Sequence, residues 1–227
     1  MFLFRLFPEN ISTYGGEIDN LFWVTLVFVT VAFIISLFLL NYPIFKHRYK
    51  PSRKAAYIIG KGSQLKWVIV ALVVLSVCDF YILVAEHPTW NKIESYLPEK
   101  DVHIGLTARQ WNFIFTYPGP DGELYTIDDV VINQQNSSMH VPVNRNIIID
   151  IRATDVVHSF FVSNLRLKQD AIPGRTITRW FNATKEGTYD IACAEICGVL
   201  HSKMRNFLVV ESEEEYQAFL ADLYAQK

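Results

Sequence analysis

Four potential metal ligands fall within one short segment near the end of the chain, CAEICGVLHSKM. They are Cys193, Cys197, His201 and Met204. Two cysteines alone favour a disulfide in an oxidising compartment. A structural zinc site explains Cys and His but not Met, since zinc takes thiolate, imidazole and carboxylate ligands. Thiolate, thioether and imidazole together suit copper, so the segment favours a copper site over a disulfide or zinc.

A second imidazole has to come from elsewhere in the chain, and His158 begins the apolar segment HSFFV. In a Greek-key barrel, an upstream strand can place one imidazole beside a later ligand loop. Two thiolates can bridge two copper ions, with one imidazole for each ion and Met204 as a weak further ligand. The peptide carbonyl of Glu195 can complete the ligand shell of the second copper ion. Rigidly bridged ions change geometry little on redox, so we expect electron transfer rather than substrate chemistry.

The segments that must position these ligands are short, apolar and separated by turn signals. From His87 onward, β-branched and aromatic runs alternate with turns such as PGPDG (118–122) and IPG (172–174). This spacing favours an antiparallel sandwich or barrel. After Ser212, which forms a capping-box pattern with Glu215, the apolar residues follow helical spacing. A C-terminal helix is therefore expected.

Two apolar runs precede the β segments. Residues 21–40 carry no charge, and residues 67–85 carry only Asp79. Each run can cross about 30 Å of hydrocarbon as a helix. The loop between them is basic and has no acidic residue, so it is expected to be cytoplasmic, with both termini on the other side. We predict an exported N-terminal segment (1–20), a transmembrane hairpin (21–86) and an exported β domain (87–227).

The charge of the chain excludes one class of partner and favours another. The formal net charge is −2, so charge offers no case for nucleic-acid binding. Residues 86–227 carry 13 Lys and Arg against 19 Asp and Glu, a net of −6. An acidic exported part fits a basic partner that is steered by long-range attraction.

DVVHSFFVSNLRLKQDAIPGR (155–175) and CAEICGVLHSKM resemble subunit II of the haem–copper cytochrome c oxidases. The C-x3-C-x3-H-x2-M loop with the upstream D-x2-H-S is highly specific, and the likeness covers nearly the whole chain. It implies a membrane-anchored all-β protein: a two-helix transmembrane hairpin, then a cupredoxin-like Greek-key β-barrel with a C-terminal helix. It also implies a dinuclear copper centre, CuA, with Cys193 and Cys197 bridging, His158 and His201 terminal, Met204 on one copper and the Glu195 carbonyl on the other.

The function implied by the resemblance is electron input to an aerobic terminal oxidase. Reduced cytochrome c passes an electron to CuA, and the electron continues to a low-spin haem of subunit I. Oxygen is reduced to water there, and protons are pumped. The implied partners are subunit I, subunit III, cytochrome c and membrane lipid. The Glu195 carboxylate is expected to reach a magnesium ion shared with subunit I. A bacterial inner membrane, with the copper domain on the periplasmic side, is expected.

Further roles follow only from the resemblance. Trp111 is expected to receive the electron from the donor, and Asp155 to help dock it. Contact with subunit I is expected from Lys168, Asp170 and Arg175. Two departures stand out: Asn112 and Phe113 replace the Tyr and Trp that are common in the family, and Gln64 replaces a carboxylate at the mouth of a proton path.

Two alternatives stay open on the sequence alone. A CuA subunit of a membrane nitric oxide reductase would carry the same ligand loop. A non-redox copper-delivery domain, stabilised by a Cys193–Cys197 disulfide, would leave His158 and Met204 unexplained. Quinol-oxidising relatives keep the fold but lack the copper ligands, all of which are present here.

Overall fold

The protein is described by a computed structural model over residues 7–52, 54 and 60–226, apart from the side chains of residues 63 and 64. Residues 1–6 of the predicted N-terminal segment, part of the basic loop and the Gln64 side chain lie outside this description. The chain divides into two compact units. One comprises Glu17–Lys92, and the other joins the segment up to Gly16 to the chain from Ile93 onward.

The first unit is a helical hairpin. Helix α1 runs over Gly15–Lys46 and helix α2 over Gly62–Trp90, and both are long and apolar enough to cross a membrane. Phe28 of α1 meets Tyr81 of α2 with ring centroids 5.8 Å apart. Lys92, just beyond α2, forms a 2.6 Å ion pair with Glu17 at the start of α1. The helices are therefore antiparallel, and they extend beyond the predicted apolar runs because polar residues continue each helix at its ends.

The second unit is a β-sandwich of two five-stranded sheets in the described part of the chain. In chain order the strands are β1 (Val102–Arg109), β2 (Asn112–Tyr117), β3 (Val130–Ile132), β4 (Ser138–Pro142), β5 (Asn146–Ala153), β6 (His158–Val162), β7 (Leu167–Ala171), β8 (Ile177–Asn182), β9 (Gly187–Cys193) and β10 (Arg205–Glu211). The first sheet has the order β3-β2-β1-β5-β8, and the second has the order β4-β10-β9-β6-β7.

Strand pairing is mostly antiparallel, as the spacing of the turns predicts. The exceptions are β1 with β5 and β4 with β10, which pair in parallel. The predicted sandwich is confirmed, and these two parallel pairs are the exceptions to its antiparallel pairing. Parallel neighbours need a long crossover connection, and in each pair several other elements separate the two strands in the chain.

The core of the sandwich holds the ligand-bearing strands together. Phe113 of the first sheet meets Phe160 of the second edge to face, with ring centroids 6.1 Å apart, and both are fully buried. Burying such a side chain stabilises the fold by about 1.5–3 kcal/mol. This contact places β6, which begins at His158, against β2, which follows Trp111. Phe113 is therefore a core residue of the sandwich.

The N-terminal segment is built into this sandwich. Ile11 and Tyr14 are fully buried, and Tyr14 packs edge to face on Trp180 at 5.3 Å. The Thr184 N–H donates to the Ile11 carbonyl at 2.7 Å, and the Ile11 N–H donates to the Asn164 carbonyl at 3.0 Å. The described residues of this segment up to Gly16 are thus part of the β unit.

The C-terminal helix α3 covers Glu213–Ala225, and its capping box is confirmed. The Glu215 N–H donates to Ser212 Oγ at 3.3 Å, and the Ser212 N–H donates to Glu215 Oε2 at 3.0 Å. The Phe219 ring of this helix stacks on the His140 ring of β4, with ring centroids 4.1 Å apart. The helix therefore packs on the sandwich through its apolar face.

Candidate metal centre

The predicted ligand loop connects two antiparallel neighbours in the second sheet. Strand β9 ends at Cys193, and β10 begins at Arg205, directly after Met204. The Cys193 N–H donates to the Met204 carbonyl at 3.2 Å, which closes the base of the loop. A 3₁₀ turn over His201–Lys203 then returns the chain toward Met204. The two ends of the twelve-residue segment are therefore fixed by sheet pairing.

Inside the loop, two sulfur atoms and one nitrogen atom lie around the Cys197 sulfur. Its Sγ lies 3.8 Å from Cys193 Sγ, 3.8 Å from Met204 Sδ and 3.6 Å from His201 Nδ1. Cys193 Sγ also lies 3.2 Å from the Glu195 carbonyl oxygen. A disulfide needs sulfurs about 2.05 Å apart, so the two thiols are not joined. Cys197 and Met204 are buried, whereas Cys193 and His201 are partly exposed.

His158 reaches this cluster from the neighbouring strand β6. It is fully buried, and its Nε2 lies 2.9 Å from Asp155 Oδ1. One of its ring nitrogens and the two cysteine sulfurs lie within 4.8 Å of one another. Its Nδ1 is buried and has no hydrogen-bond partner among the described residues. Buried polar atoms are nearly always paired, so an unpaired imidazole nitrogen beside two thiols indicates a metal ligand.

The same surroundings shift the ionisation of the ligands. Burial raises the pKa of Cys193, but the His158 imidazole and the backbone at Ser159 and Glu195 outweigh it, so the pKa lies well below its usual value. Burial and the neighbouring Cys193 thiolate hold the pKa of Cys197 well above its usual value. Burial lowers the pKa of His158, but Cys193 and Asp155 outweigh that effect and raise it. Metal binding displaces protons from such groups, because metals bind the thiolate and the neutral imidazole.

This donor set fits copper. It combines two thiols, a thioether and two imidazoles, and soft sulfur ligands with imidazole select copper among the common metals. Among the described residues, it is also the one group in which three or more His, Cys or carboxylate side chains converge closely enough to hold a metal. The copper ligands predicted from the sequence are thus near one another, and the Glu195 side chain is exposed.

Gln110 and Trp111, between β1 and β2, contact the ligand loop from outside. Gln110 Nε2 donates to the Cys197 carbonyl at 2.8 Å. A Cβ placed on Gly198 would lie 2.9 Å from Gln110 Nε2 and 3.1 Å from Trp111 Nε1, so only a glycine permits this approach. The Trp111 ring is partly exposed. An indole at the surface therefore touches the backbone next to a predicted copper ligand.

Asp155 makes contacts that sequence reasoning missed. Besides His158, its carboxylate accepts the N–H of Gln110 at 2.7 Å and that of Val156 at 2.7 Å. Burial raises the pKa of Asp155, but these hydrogen bonds outweigh it and lower the pKa below its usual value. A carboxylate on the far nitrogen of a ligating His fixes its tautomer and orientation. The spacing Asp-x2-His was the available signal, while nothing in the sequence pointed to Gln110.

The other predicted residues lie away from the cluster. Lys168 and Asp170 are exposed on β7, the edge strand of the second sheet, and Arg175 is exposed in the turn after it. Beside the exposed polar Glu195, Ser202 and Lys203, the surface around the ligand loop also exposes apolar side chains: Val156, Val157, Ile196, Val199 and Leu200. Ile196 is 82% exposed and Val199 is 90% exposed. An apolar rim of this kind is typical of a protein-interaction surface.

Comparison with known proteins gives consistent matches. A family model described as "Cytochrome C oxidase subunit II, periplasmic domain" matches residues 107–212. The "Alternative cytochrome c oxidase subunit 2" of Bradyrhizobium diazoefficiens is 29% identical over 243 aligned positions, which cover 96% of this chain and 86% of the relative. The "Cytochrome c oxidase subunit 2" of Cereibacter sphaeroides is 28% identical, and the alignment covers 94% of this chain and 78% of the relative. A crystal structure of the periplasmic domain of cytochrome oxidase subunit II from Bradyrhizobium japonicum is 29% identical, covering 58% of this chain and 99% of that one, with a TM-score of 0.49.

Proposed function

Because the chain belongs to the cytochrome c oxidase subunit II family, we propose that it is the electron-input subunit of an aerobic terminal oxidase. The helical hairpin anchors a cupredoxin-like β domain with a C-terminal helix to the membrane. As a subunit of a haem–copper oxidase, the chain contributes to an oxidoreductase and partners with the catalytic subunit. In the proposal, reduced cytochrome c is the donor, a dinuclear CuA centre accepts the electron, and the low-spin haem of subunit I receives it for oxygen reduction and proton pumping.

One observation carries the proposal: a ring nitrogen of the buried His158 lies within 4.8 Å of two free thiols, and no disulfide joins these thiols. Cys193 and Cys197 would bridge the coppers, His158 and His201 would bind one each, and Met204 and the Glu195 carbonyl would complete the shells. When bound, copper supplies a one-electron redox couple. The chain would hold this couple rigidly, since His158 and Cys193 lie on β6 and β9, and the pairing of β9 with β10 closes the loop that carries the other ligands. The burial of Cys197 and Met204 excludes water from one side.

We assign donor binding to the surface around Trp111. The indole is partly exposed and adjoins Gly198, so an electron that reaches it lies one peptide from Cys197. The apolar rim of Ile196 and Val199 would exclude water from the contact. The net charge of −6 on residues 86–227 would steer a basic cytochrome c. Asp155 is exposed enough, at 33% of its side chain, to share in that attraction.

The contacts with the rest of the oxidase are part of the same proposal. Lys168, Asp170 and Arg175, all exposed at one edge of the sandwich, would meet subunit I. The exposed Glu195 carboxylate would reach a magnesium ion shared with that subunit. Subunit III would join the complex in the membrane. The copper domain would face the periplasm of a bacterial inner membrane, because the loop between the helices is basic.

The relatives favour an oxidase over the other two functions. Both carry cytochrome c oxidase names, which supports this function over a nitric oxide reductase. The separation of 3.8 Å between the cysteine sulfurs supports a metal site over a disulfide-stabilised domain.

The test is copper loading of the full chain in detergent with its thiols kept reduced, followed by oxidation of the bound copper by one electron and electron paramagnetic resonance. We expect a dinuclear copper content and a hyperfine pattern of one electron shared by equivalent coppers. Cys197→Ser should abolish that pattern. Cys78→Ser, which changes the remaining cysteine on α2, is the matched control and should retain it. A single-copper spectrum, or copper-free protein with oxidised cysteines, would refute the proposal.

A further inference from the structure

Gln110 is hydrogen-bonded to both segments that carry the predicted ligands, although it is not a ligand itself. Its side-chain amide donates to the Cys197 carbonyl at 2.8 Å. Its backbone N–H donates to Asp155 Oδ2 at 2.7 Å. The same carboxylate holds His158 Nε2 at 2.9 Å through its other oxygen. One residue therefore links the ligand loop to the ligand strand by three hydrogen bonds in series.

The linked atoms also include the surface indole. Trp111 follows Gln110 directly, and both side chains contact the space above Gly198. Gly198 has a φ of +124°, a conformation that favours glycine, and a Cβ there would lie 2.9 Å from the Gln110 amide nitrogen. The backbone of the ligand loop thus lies directly against Gln110 and Trp111. Any shift of Gln110 would displace the indole and the Cys197 peptide relative to each other.

We propose that Gln110 is a positioning residue of the copper centre, which fixes the Trp111 indole, the Cys197 backbone and, through Asp155, the His158 imidazole in one arrangement. The inference deepens the proposed function and rests on it. The Gln110 side chain suits this role because its amide is a neutral hydrogen-bond donor and is long enough to reach the Cys197 carbonyl. A Glu at this position would face that carbonyl and Asp155 with a further negative charge.

The consequence concerns electron input rather than copper content. All ligand side chains remain when Gln110 changes, so the dinuclear centre should still form. The ligand loop would be held by one hydrogen bond fewer. This loss corresponds to about a fivefold change in the equilibrium between the ordered and the displaced loop. The rate of a process that depends on exact geometry, such as electron input, can change more, since a displacement of about 1 Å can slow such a process on the order of 100-fold.

The experiment compares Gln110→Met with Gln217→Met. Methionine keeps the length of glutamine but removes the donor. Gln217 is exposed on α3, and its amide likewise donates one hydrogen bond, to Glu213 Oε1 at 3.0 Å, so it controls for the substitution itself. Full-length chains in detergent are loaded with copper, and copper content, paramagnetic resonance spectrum, thermal unfolding and copper loss to a chelator are measured. In the assembled oxidase, flash reduction of bound cytochrome c separates electron input from onward transfer.

For Gln110→Met we expect normal copper content, an altered hyperfine splitting and about fivefold faster copper loss. Electron input should slow by about fivefold or more, with onward transfer unchanged. Gln217→Met should match the parent chain in every measurement. If Gln110→Met does not accumulate, Gln110→Asn takes its place, because it keeps an amide that is one methylene too short for the Cys197 carbonyl.

Two negative results are distinguishable. A Gln110 variant that unfolds at a lower temperature, but keeps the parent's spectrum, copper-loss rate and electron-input rate, would show a purely structural role and overturn this inference alone. A parent chain without the dinuclear spectrum would overturn the proposed function, and this inference with it.

Discussion

Among the residues that the structure describes, three imidazole–carboxylate pairs have nearly the same geometry but different surroundings. His158 lies 2.9 Å from Asp155, His103 lies 3.0 Å from Asp150, and His140 lies 3.1 Å from Glu211. The His158 side chain is fully buried, whereas those of His103 and His140 are 20% and 24% exposed. Of the three, only His158 belongs to a group in which a ring nitrogen and two cysteine sulfurs lie within 4.8 Å of one another.

The other two pairs belong to packing. Asp150 also accepts hydrogen bonds from Thr178 at 2.6 Å and from Tyr125 at 3.4 Å, so it joins neighbouring strands to the loop that carries Tyr125. His140 stacks on Phe219 and so holds α3 to the sandwich. A carboxylate on one imidazole nitrogen therefore does not define a metal site. The surroundings of the second nitrogen decide between a ligand and a structural residue.

The largest expected difference comes from removing the imidazoles themselves. His158→Ala should lose the dinuclear copper spectrum and lower oxidase turnover by more than about 100-fold, because loss of a mere outer-shell partner already costs about 10–100-fold. His103→Ala should keep both. Copper analysis, paramagnetic resonance and oxygen-uptake assays on the assembled enzyme provide the comparison. Equal copper retention by the two variants would remove the distinction between the pairs.

Substitutions of the two carboxylates, Asp155 and Asp150, should also differ in their effect on copper, but by less than those of the imidazoles. Asp155→Asn should weaken copper affinity by about 10–100-fold, since the His158 tautomer is no longer fixed. Asp150→Asn should keep copper and instead lose about 1–3 kcal/mol of stability, because the side chain at this buried position can then pair only imperfectly with His103, Thr178 and Tyr125. Competition with a chelator measures the first effect, and thermal unfolding measures the second. A copper defect in Asp150→Asn would contradict the structural assignment of its pair.

A smaller effect is expected from acid. The hydrogen bond with His103 holds the pKa of Asp150 below its ordinary value of 3.8, although burial opposes this. A carboxylate whose pKa is lower in the folded than in the unfolded state stabilises the protein at any pH above its unfolded-state pKa. This stabilisation is lost as the pH falls through the folded-state pKa. The unfolding temperature of the full chain in detergent should therefore fall more steeply below about pH 4 than that of Asp150→Asn. Parallel curves for the two proteins would show that the pair contributes no acid-sensitive stability.

What could be predicted from the sequence is local in the chain. The apolar runs of α1 and α2 and the capping box at Ser212 each lie within a few turns of helix, and the family motif set the expected ligands. The contacts that were missed join distant residues: Gln110 and Cys197 are 87 positions apart, and Ile11 and Thr184 are 173 apart. Such pairings depend on how strands register across two sheets, and no spacing in the sequence encodes them. The parallel pairing of β1 with β5 escaped prediction for the same reason.

The N-terminal segment has a consequence for how the protein is made. Ile11 is synthesised first, and its backbone partner Thr184 emerges only after both membrane helices and most of the strands. A closing contact over so long a stretch forms late, because the entropy of closing the loop must be overcome first. The two partners also meet only if the chain crosses the membrane twice and returns to its starting side. Completion of the β-sandwich is therefore coupled to correct insertion, and a chain with one failed crossing leaves the sites of Ile11 and Tyr14 unfilled.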